Sequence, residues 1–444
     1  MRIDSLYFMK EFLKLPRFSN SIGGIAIVRS GTTPSDRDDE LSEGVILLKT
    51  VDIQNRPLNT NDAESFYRIT PEIASRMEKT SLKPKDVLIN IVGATTDVIG
   101  RVSLVPSDFP EANITQAMAL IRATNLLMPP EIIFCFLACK YGKTQVRRLA
   151  RPTGQYNLNL PEVQSITIPS FSNEFCNQIK DFIELTSKKM EQSKQHILQA
   201  ELMLLKSLGL NNWTPATPLC YVRSSSVAFT YGRLDSQFFA PRVRELMERL
   251  GQDGLTIGDV APARHERFKS GDSGNFNYIE IGGLGSDGTA VAETLPQKEA
   301  PSRATQFVRA GDIITSTVRP IRRLSALIAK EQDGNVCSSG FVVLNPQKIS
   351  SEVLLTYLRL PLFCELMDLH TSATMYPAIS EADLLSLPIP TIDTKMQLAI
   401  QQSVQEAAAN RQRASSLLDA AKRAVEIAIE DSEAAALAYL QGVI

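Results

Sequence analysis

The residues with the strongest chemical suggestion are basic and clustered. Between Glu131 and Glu162 the chain carries no acidic residue, while Lys140, Lys143, Arg147, Arg148 and Arg151 accumulate along a stretch that runs on into RPTGQYNLN. Guanidinium and ammonium groups at this density suit contact with phosphate oxygens, and Gln155, Tyr156 and Asn157 bring side chains able to read base edges. A charge run is also what a solvated helix face looks like. The continuation into Gly-Gln-Tyr-Asn favours the polyanion reading. Later in the chain Arg264, Arg267 and Lys269 form one basic group, and Arg303, Arg309, Arg319, Arg322 and Arg323 form another. Two basic regions this far apart imply two separate contacts on one duplex.

Other chemistries find little support. Gly283, Gly285 and Gly288 spell GxGxxG after an apparent strand, NFNYIEI, but the following TAVAETLPQKEAP is short and interrupted by proline. It cannot be the helix whose N-terminus would hold a pyrophosphate, so the glycines are read as a turn. No GxSxG elbow, Walker GxxxxGKS sequence or NPPY run occurs, so neither a grouped nucleophile and base nor the loop of a base methyltransferase is present. Six cysteines include no CxxC pair, and His196, His265 and His370 stand far apart, which disfavours a zinc site. Cys135 and Cys139 fall in the apolar run 132–139 and read as small buried thiols. The expectation is a chain with no catalytic centre, no bound cofactor and no metal.

The 444 residues are 43% hydrophobic and 22% charged, which suits two or three globular domains and excludes a disordered tail protein. A net charge of -2 argues against coating nucleic acid by bulk charge, so any polyanion site is local. The N-terminal MRIDSLYFMKEFLKL lacks an apolar core followed by a small-residue cleavage site, and no run of 18 apolar residues occurs. A cytoplasmic protein with no membrane span is expected.

The elements that would position the basic groups repeat. LKPKDVLINIVG around Asp86 matches VRAGDIITSTVR around Asp312, IGRVSLVP matches RRLSALIA, and PPEIIFCFLACKYG matches SSEVLLTYLRLPLF. Each half then passes a tyrosine, Tyr156 or Tyr376, and reaches a short strand ending Ile-Pro. The duplication is about 220 residues long, too long for a solenoid unit. Each half reads as a mixed α/β globule followed by a long helix, over residues 174–208 and 395–439. The second helix carries a 4,3 alternation through Ile400, Val404, Ala407, Arg411, Ala414, Leu418, Ala421, Val425 and Ala428, a coiled-coil seam. Pro215, Pro218 and the serine triplet 224–226 mark a linker ahead of the second globule.

The order of the motifs carries a resemblance. SGTTPS (30–35), LLKTVDI, FYRIT, LKPKDVLI, IGR, NITQA and TGQYNLN ending in SITIP resemble the target recognition domain of type I restriction-modification specificity subunits. NYIEIGGL, APSRA, AGDIITSTVRP, CSSGF and MYPAIS ending in SLPIP look like another subtype of that domain. The resemblance implies an α+β fold with two similar mixed α/β target recognition domains separated by two long antiparallel helices forming a coiled coil. The expected division is a first recognition domain at 1–170, a spacer helix at 171–210, a linker and second recognition domain at 211–391, and a second spacer helix with a tail at 392–444.

It further implies a non-catalytic subunit that reads a bipartite target on double-stranded DNA. Two adenine methyltransferase subunits, using S-adenosylmethionine, and restriction or translocase subunits, using ATP and magnesium, would be its partners. The motif positions placed near DNA by the resemblance are Thr32, Thr33 and Ser35, the TGQYN segment, and Arg303, Arg319 and Tyr376. Where the family commonly has Pro-Leu-Pro and a Glu-Gln pair, this chain has PSFSNEFCNQI and TIDTKMQLAI. Two competing readings are a two-headed protein-binding scaffold, whose affinity would not fall steeply with salt, and an enzyme with an unrecognised site.

Overall fold

The computed structural model describes residues 5–36, 38, 41, 43–60, 66–124, 128–371 and 377–443. The chain divides into two compact units, one built from residues 1–192 with 410–444 and the other from 193–409.

In the first unit, strands Ala26–Ser30, Met118–Ala123, Val87–Asn90 and Val102–Leu104 lie in that order in an antiparallel sheet. A second sheet orders Arg68–Ile69, Val45–Leu48 and Ala112–Ile114, and its last two strands are parallel. The helix Pro130–Ala138 is apolar on every side, from Ile132 to Ala138, and is accordingly buried from Glu131 onward in the core beside the first sheet. At Cys139 the backbone turns extended, and a second helix, Lys140–Leu149, begins. Gly142 sits where a Cβ would come within 2.2 Å of the Phe136 carbonyl oxygen, so the close crossing of the two helices requires glycine.

The second unit has the same plan. Ser325–Leu327, Ile313–Ser316 and Phe341–Leu344 form one antiparallel sheet. The other orders Glu293–Pro296, Asn275–Ile279, Val336–Ser338 and Ala304–Phe307, and again contains one parallel pair, Asn275–Ile279 with Val336–Ser338. The helices Ser351–Leu358 and Pro361–Leu369 repeat the helical pair.

A buried carboxylate marks the equivalence most sharply. Asp86 and Asp312, each 1% exposed, precede the central strand of their sheet. Each accepts from the backbone N–H three residues earlier, Lys83 or Arg309, at 2.8 Å. Each is also gripped by two nitrogens of one guanidinium, from Arg122 at 2.7 and 2.6 Å and from Arg264 at 2.7 and 2.9 Å. The arginines come from different strands. Strand pairing aligns Arg264 with Arg29 of the first unit, whereas Arg122 stands on the neighbouring strand. A buried carboxylate needs a cation, and the two copies supply it from adjacent strands.

The long helices are Asn173–Ser207, 35 residues, and Thr394–Glu430, 37 residues. They run antiparallel. Lys189 Nζ donates to Asn410 Oδ1 at 3.2 Å in the first unit, and in the second Ser193 Oγ donates to the Ala407 carbonyl and Ser403 Oγ to the His196 carbonyl, both at 2.8 Å. Of the seam positions, Ile400, Val404, Ala407, Ala414, Leu418, Ala421 and Val425 are buried. The second helix stops sooner than the sequence pattern suggests. After Glu430 the chain breaks, Ser432 Oγ accepts from the Ala435 N–H at 3.2 Å, and a separate helix, Glu433–Gln441, follows. A serine N-cap ahead of Glu-Ala-Ala starts a separate helix. The fold is thus α+β, two similar mixed units with two long antiparallel helices. Among the described residues no helix is long and apolar enough to cross a membrane.

Candidate nucleic-acid interface

In the first unit the basic run forms the helix Lys140–Leu149, which buries Gly142 and Val146. Lys143 and Arg147, four residues apart and on one face, are exposed. They line a polar cleft of about 250 Å³ with Gln54, Asn55, Thr96, Asp97 and Arg101. Arg147 lies 3.3 Å from Asp97 Oδ1, a contact open to water and correspondingly weak. Arg101 Nε donates to the Asp97 carbonyl at 2.8 Å, and Asn55, at a φ of +56°, accepts from the Val102 N–H at 3.1 Å. Gln54 and Asn55 fall outside the basic run and outside the motifs quoted from the sequence, whereas Arg101 ends the IGR motif but is not singled out there as a site residue.

Other members of the run are used inside the unit. Lys140 Nζ pairs with Glu430 and its N–H donates to Glu426 at 2.9 Å. Arg151 Nε donates to Glu162 at 2.8 Å, and that carboxylate also accepts from the Asn159 N–H at 2.9 Å to cap the next helix. The Arg148 guanidinium lies 4.4 Å over the Tyr7 ring.

The TGQYN segment is a hairpin. Arg151–Thr153 pairs antiparallel with Gln155–Asn157 around Gly154, whose φ of +83° makes the tight reversal. Its second strand joins Val92–Gly93. Gln155 is exposed, and Tyr156 and Asn157 are half-buried. The SGTTPS loop reaches the same edge through the NITQA segment. Thr33 Oγ1 accepts from the Gln116 N–H at 3.3 Å, and the Ala117 carbonyl accepts from Ile91 and Val92 at 2.9 and 3.2 Å. Thr32 and Ser35 are exposed and Thr33 half-buried. Two segments more than a hundred residues apart thus share one edge.

In the second unit Val318 bridges Ala378 and the Ile379 N–H donates to the Thr317 carbonyl at 3.0 Å. The first unit has the same pattern, with Val92 opposite Asn157 and the Leu158 N–H on the Ile91 carbonyl at 2.8 Å. This register places Pro377, not Tyr376, at the Tyr156 position, one residue from the sequence match. Tyr376 itself lies outside the described residues. Arg319 and Arg323 flank a 3-10 turn, Pro320–Arg322, at φ of +51° and +58°. Arg322, Arg303, Arg267 and Lys269 are exposed, and Arg319 is half-buried. Arg264 holds Asp312, Arg309 pairs with Glu266, and Arg323 pairs with Glu201.

Counting charge therefore overstates the surface. Lys140, Arg151, Arg264, Arg309 and Arg323 have carboxylate partners within their own units. Lys143, Arg147, Arg267, Lys269, Arg303 and Arg322 present charge outward in two separate units, an arrangement suited to phosphate contacts in two places.

The glycine motif falls in a 3-10 turn, Ile281–Gly283, and a loop in which Gly288 has a φ of +83°. No helix follows to hold a pyrophosphate. Burial pushes the Cys139 and Cys176 thiols up to about 11 and those of Cys337 and Cys364 up to about 12, so these thiols are poor nucleophiles at neutral pH. Among the described residues no group of three or more His, Cys, Asp or Glu side chains is placed to hold a metal ion.

No protein-family model matches the chain, and no curated protein does. Solved structures similar to it include a type I restriction-modification system S subunit from M. genitalium, at 13% identity and a TM-score of 0.37, covering 96% of this chain and 98% of that one. An HsdS subunit from Thermoanaerobacter tengcongensis matches at 15% identity and a TM-score of 0.28, covering 96% of each chain. A chain described with complex assembly and conformational transition of the type I R-M system matches at 16% identity and a TM-score of 0.27, covering 97% of this chain and 98% of that one.

Proposed function

We propose that this chain is a DNA-sequence-reading subunit without catalytic activity of its own, the specificity subunit of a type I restriction-modification complex. The observation that supports this best is the duplication. Two units share one topology, down to the buried Asp86 and Asp312, and each presents exposed basic residues close to the segments whose order resembles target recognition domains. Their recognition segments differ: in the corrected register TGQYN (153–157) stands against TMYPA (374–378), and SGTTPSDRDDELSEG has no close counterpart in APARHERFKSGDSGN. Similar folds with different edges suit two different half-sites of a bipartite target.

In this reading two copies of a methyltransferase subunit dock along the paired helices, since repeated surfaces suit repeated partners. Restriction or translocase subunits join that assembly in the cytoplasm. S-adenosylmethionine, and ATP with magnesium, belong to those partners. Thr32, Thr33, Ser35, Gln155, Tyr156 and Asn157 are the base-reading candidates of the first unit, and Lys143 and Arg147 its phosphate contacts. Arg267, Lys269, Arg303, Arg319 and Arg322, with Tyr376, take these parts in the second.

Methylation mapping of DNA from cells with and without this chain tests the reading. A split sequence that loses its methylated adenines when the chain is absent is the expected result. A continuous modified sequence, or methyl transfer by the purified chain alone, overturns it. A protein-binding scaffold would leave the methylation map unchanged.

A further inference from the structure

The turn that carries Arg319 and Arg322 has a counterpart in the first unit, and the comparison isolates one residue. The Ser316 N–H donates to the Leu324 carbonyl at 2.8 Å as the Asn90 N–H donates to the Arg101 carbonyl at 2.9 Å, which aligns Arg323 with Gly100. Both are left-handed, at φ of +58° and +74°. Glycine adopts that conformation freely; a residue with a Cβ does so at a cost. The second unit therefore spends an unfavourable backbone conformation on an arginine.

The side chain accounts for it. Arg323 Nε donates to the Arg359 carbonyl at 2.7 Å, and its Nη2 pairs with Glu201 on the long helix Asn173–Ser207. Arg359, only 5% exposed, answers in kind. Its Nη1 donates to the carbonyls of Arg323 and Ser325 at 2.7 and 3.2 Å, and its Nη2 to that of Ser286. A buried guanidinium satisfied by backbone carbonyls from two loops fixes both loops. Counted from the start of the preceding helix, the first unit has Ala138 at the place of Arg359, and with Gly100 in place of Arg323 it has no such clamp.

We propose that Arg323 is a positioning residue: together with Arg359 it ties the turn bearing Arg319 and Arg322 to Glu201 of the long helix, so that the second unit offers preformed cationic contacts to a DNA backbone. The polyanion rests on the function proposed above; the tie between helix and turn does not. The coupling is confined to one half of the duplicated chain, so a disturbance of the helix at Glu201 reaches the second reading edge by a route the first lacks.

The test uses the full chain and the variants E201Q, R323G and R323K. Hydrogen exchange is followed in residues 317–325 and in the equivalent 91–102, and each protein is titrated with duplex DNA at low salt. E201Q leaves the backbone chemistry of the turn unchanged, and R323G copies the first unit, so both are compatible with the fold. E201Q and R323G are expected to speed exchange in 317–325 by about tenfold or more while leaving 91–102 unaltered. Duplex affinity should fall by about tenfold in both, with R323K between them and wild type. Unchanged exchange in E201Q overturns the coupling. Accelerated exchange with undiminished affinity for duplex overturns the positioning role. A wild-type chain that binds no duplex, with exchange still accelerated in E201Q, upholds the coupling and overturns the DNA reading instead.

Discussion

Replacing Lys143 and Arg147 together by alanine separates surface charge that meets DNA from charge that merely appears in the sequence. Both are exposed on one helix face and line the same cleft, and Arg147 has only a long, solvent-open contact to Asp97. Removing one cation that neutralises a phosphate should lower the slope of log affinity against log salt by about 0.9, so the double variant should flatten it by about 1.8. Over a fourfold rise in salt the wild type would then weaken by roughly ten times more than the variant. The control is Lys140, in the same helix but paired with Glu430. K140A should leave the slope alone and, with that pair about half-exposed on the lysine side, change stability by no more than about 0.5 kcal/mol. Fluorescence anisotropy on a labelled duplex across a salt series, with a denaturation curve for each protein, supplies both readings. An unaltered slope in the double variant, or an equal change in K140A, would refute the assignment.

Three further outcomes follow from the interior. R122A strands the Asp86 carboxylate, which is 1% exposed, and should destabilise the first unit by about 3–5 kcal/mol in denaturant titration; a change under about 1 kcal/mol would mean that water reaches the carboxylate. Cys220 is exposed while the other five thiols are buried, so a thiol reagent should label one cysteine in the native chain and six in denaturant, and rapid native labelling of several would contradict the packing. The hydrogen bond from Lys140, ahead of that from Arg423, holds the Glu430 carboxyl below its ordinary 4.5. The resulting stability is fully present above that value and lost as the pH falls through the lower folded one. K140A should therefore flatten the acid limb of a stability profile, and an unchanged limb would count against the pair.

The duplication was legible because the strands around Asp86 and Asp312 keep their pattern of turn, acid and apolar run, which the sheet itself demands. What the sequence hid depends on partners distant along the chain. Lys140 and Glu430 lie hundreds of residues apart, and Glu201 precedes Arg323 by more than a hundred, so charge counting treats five engaged cations as surface. The left-handed backbone at Arg323 leaves no compositional trace, since the usual signal for that conformation is glycine. The one-residue slip at Tyr376 arose from matching tyrosines, whereas the hydrogen-bond ladder follows the backbone of Ala378 and Ile379. The restart at Ser432 was written in Ser-Glu-Ala-Ala but masked by an alanine-rich helical composition on both sides.

The first unit is discontinuous in the chain: its core includes Phe175 and Ile179 together with Leu417, Ala421, Val425, Ala436 and Leu440. The second is made of one uninterrupted stretch, 193–409. During synthesis the order of completion is therefore the reverse of the order of appearance. Residues 1–192 are made before the stretch 193–409, and their core gains its remaining members only from 410–444. A chain cut soon after residue 409 would keep the uninterrupted stretch 193–409 whole, while the first unit would lack Leu417, Ala421, Val425, Ala436 and Leu440 of its core.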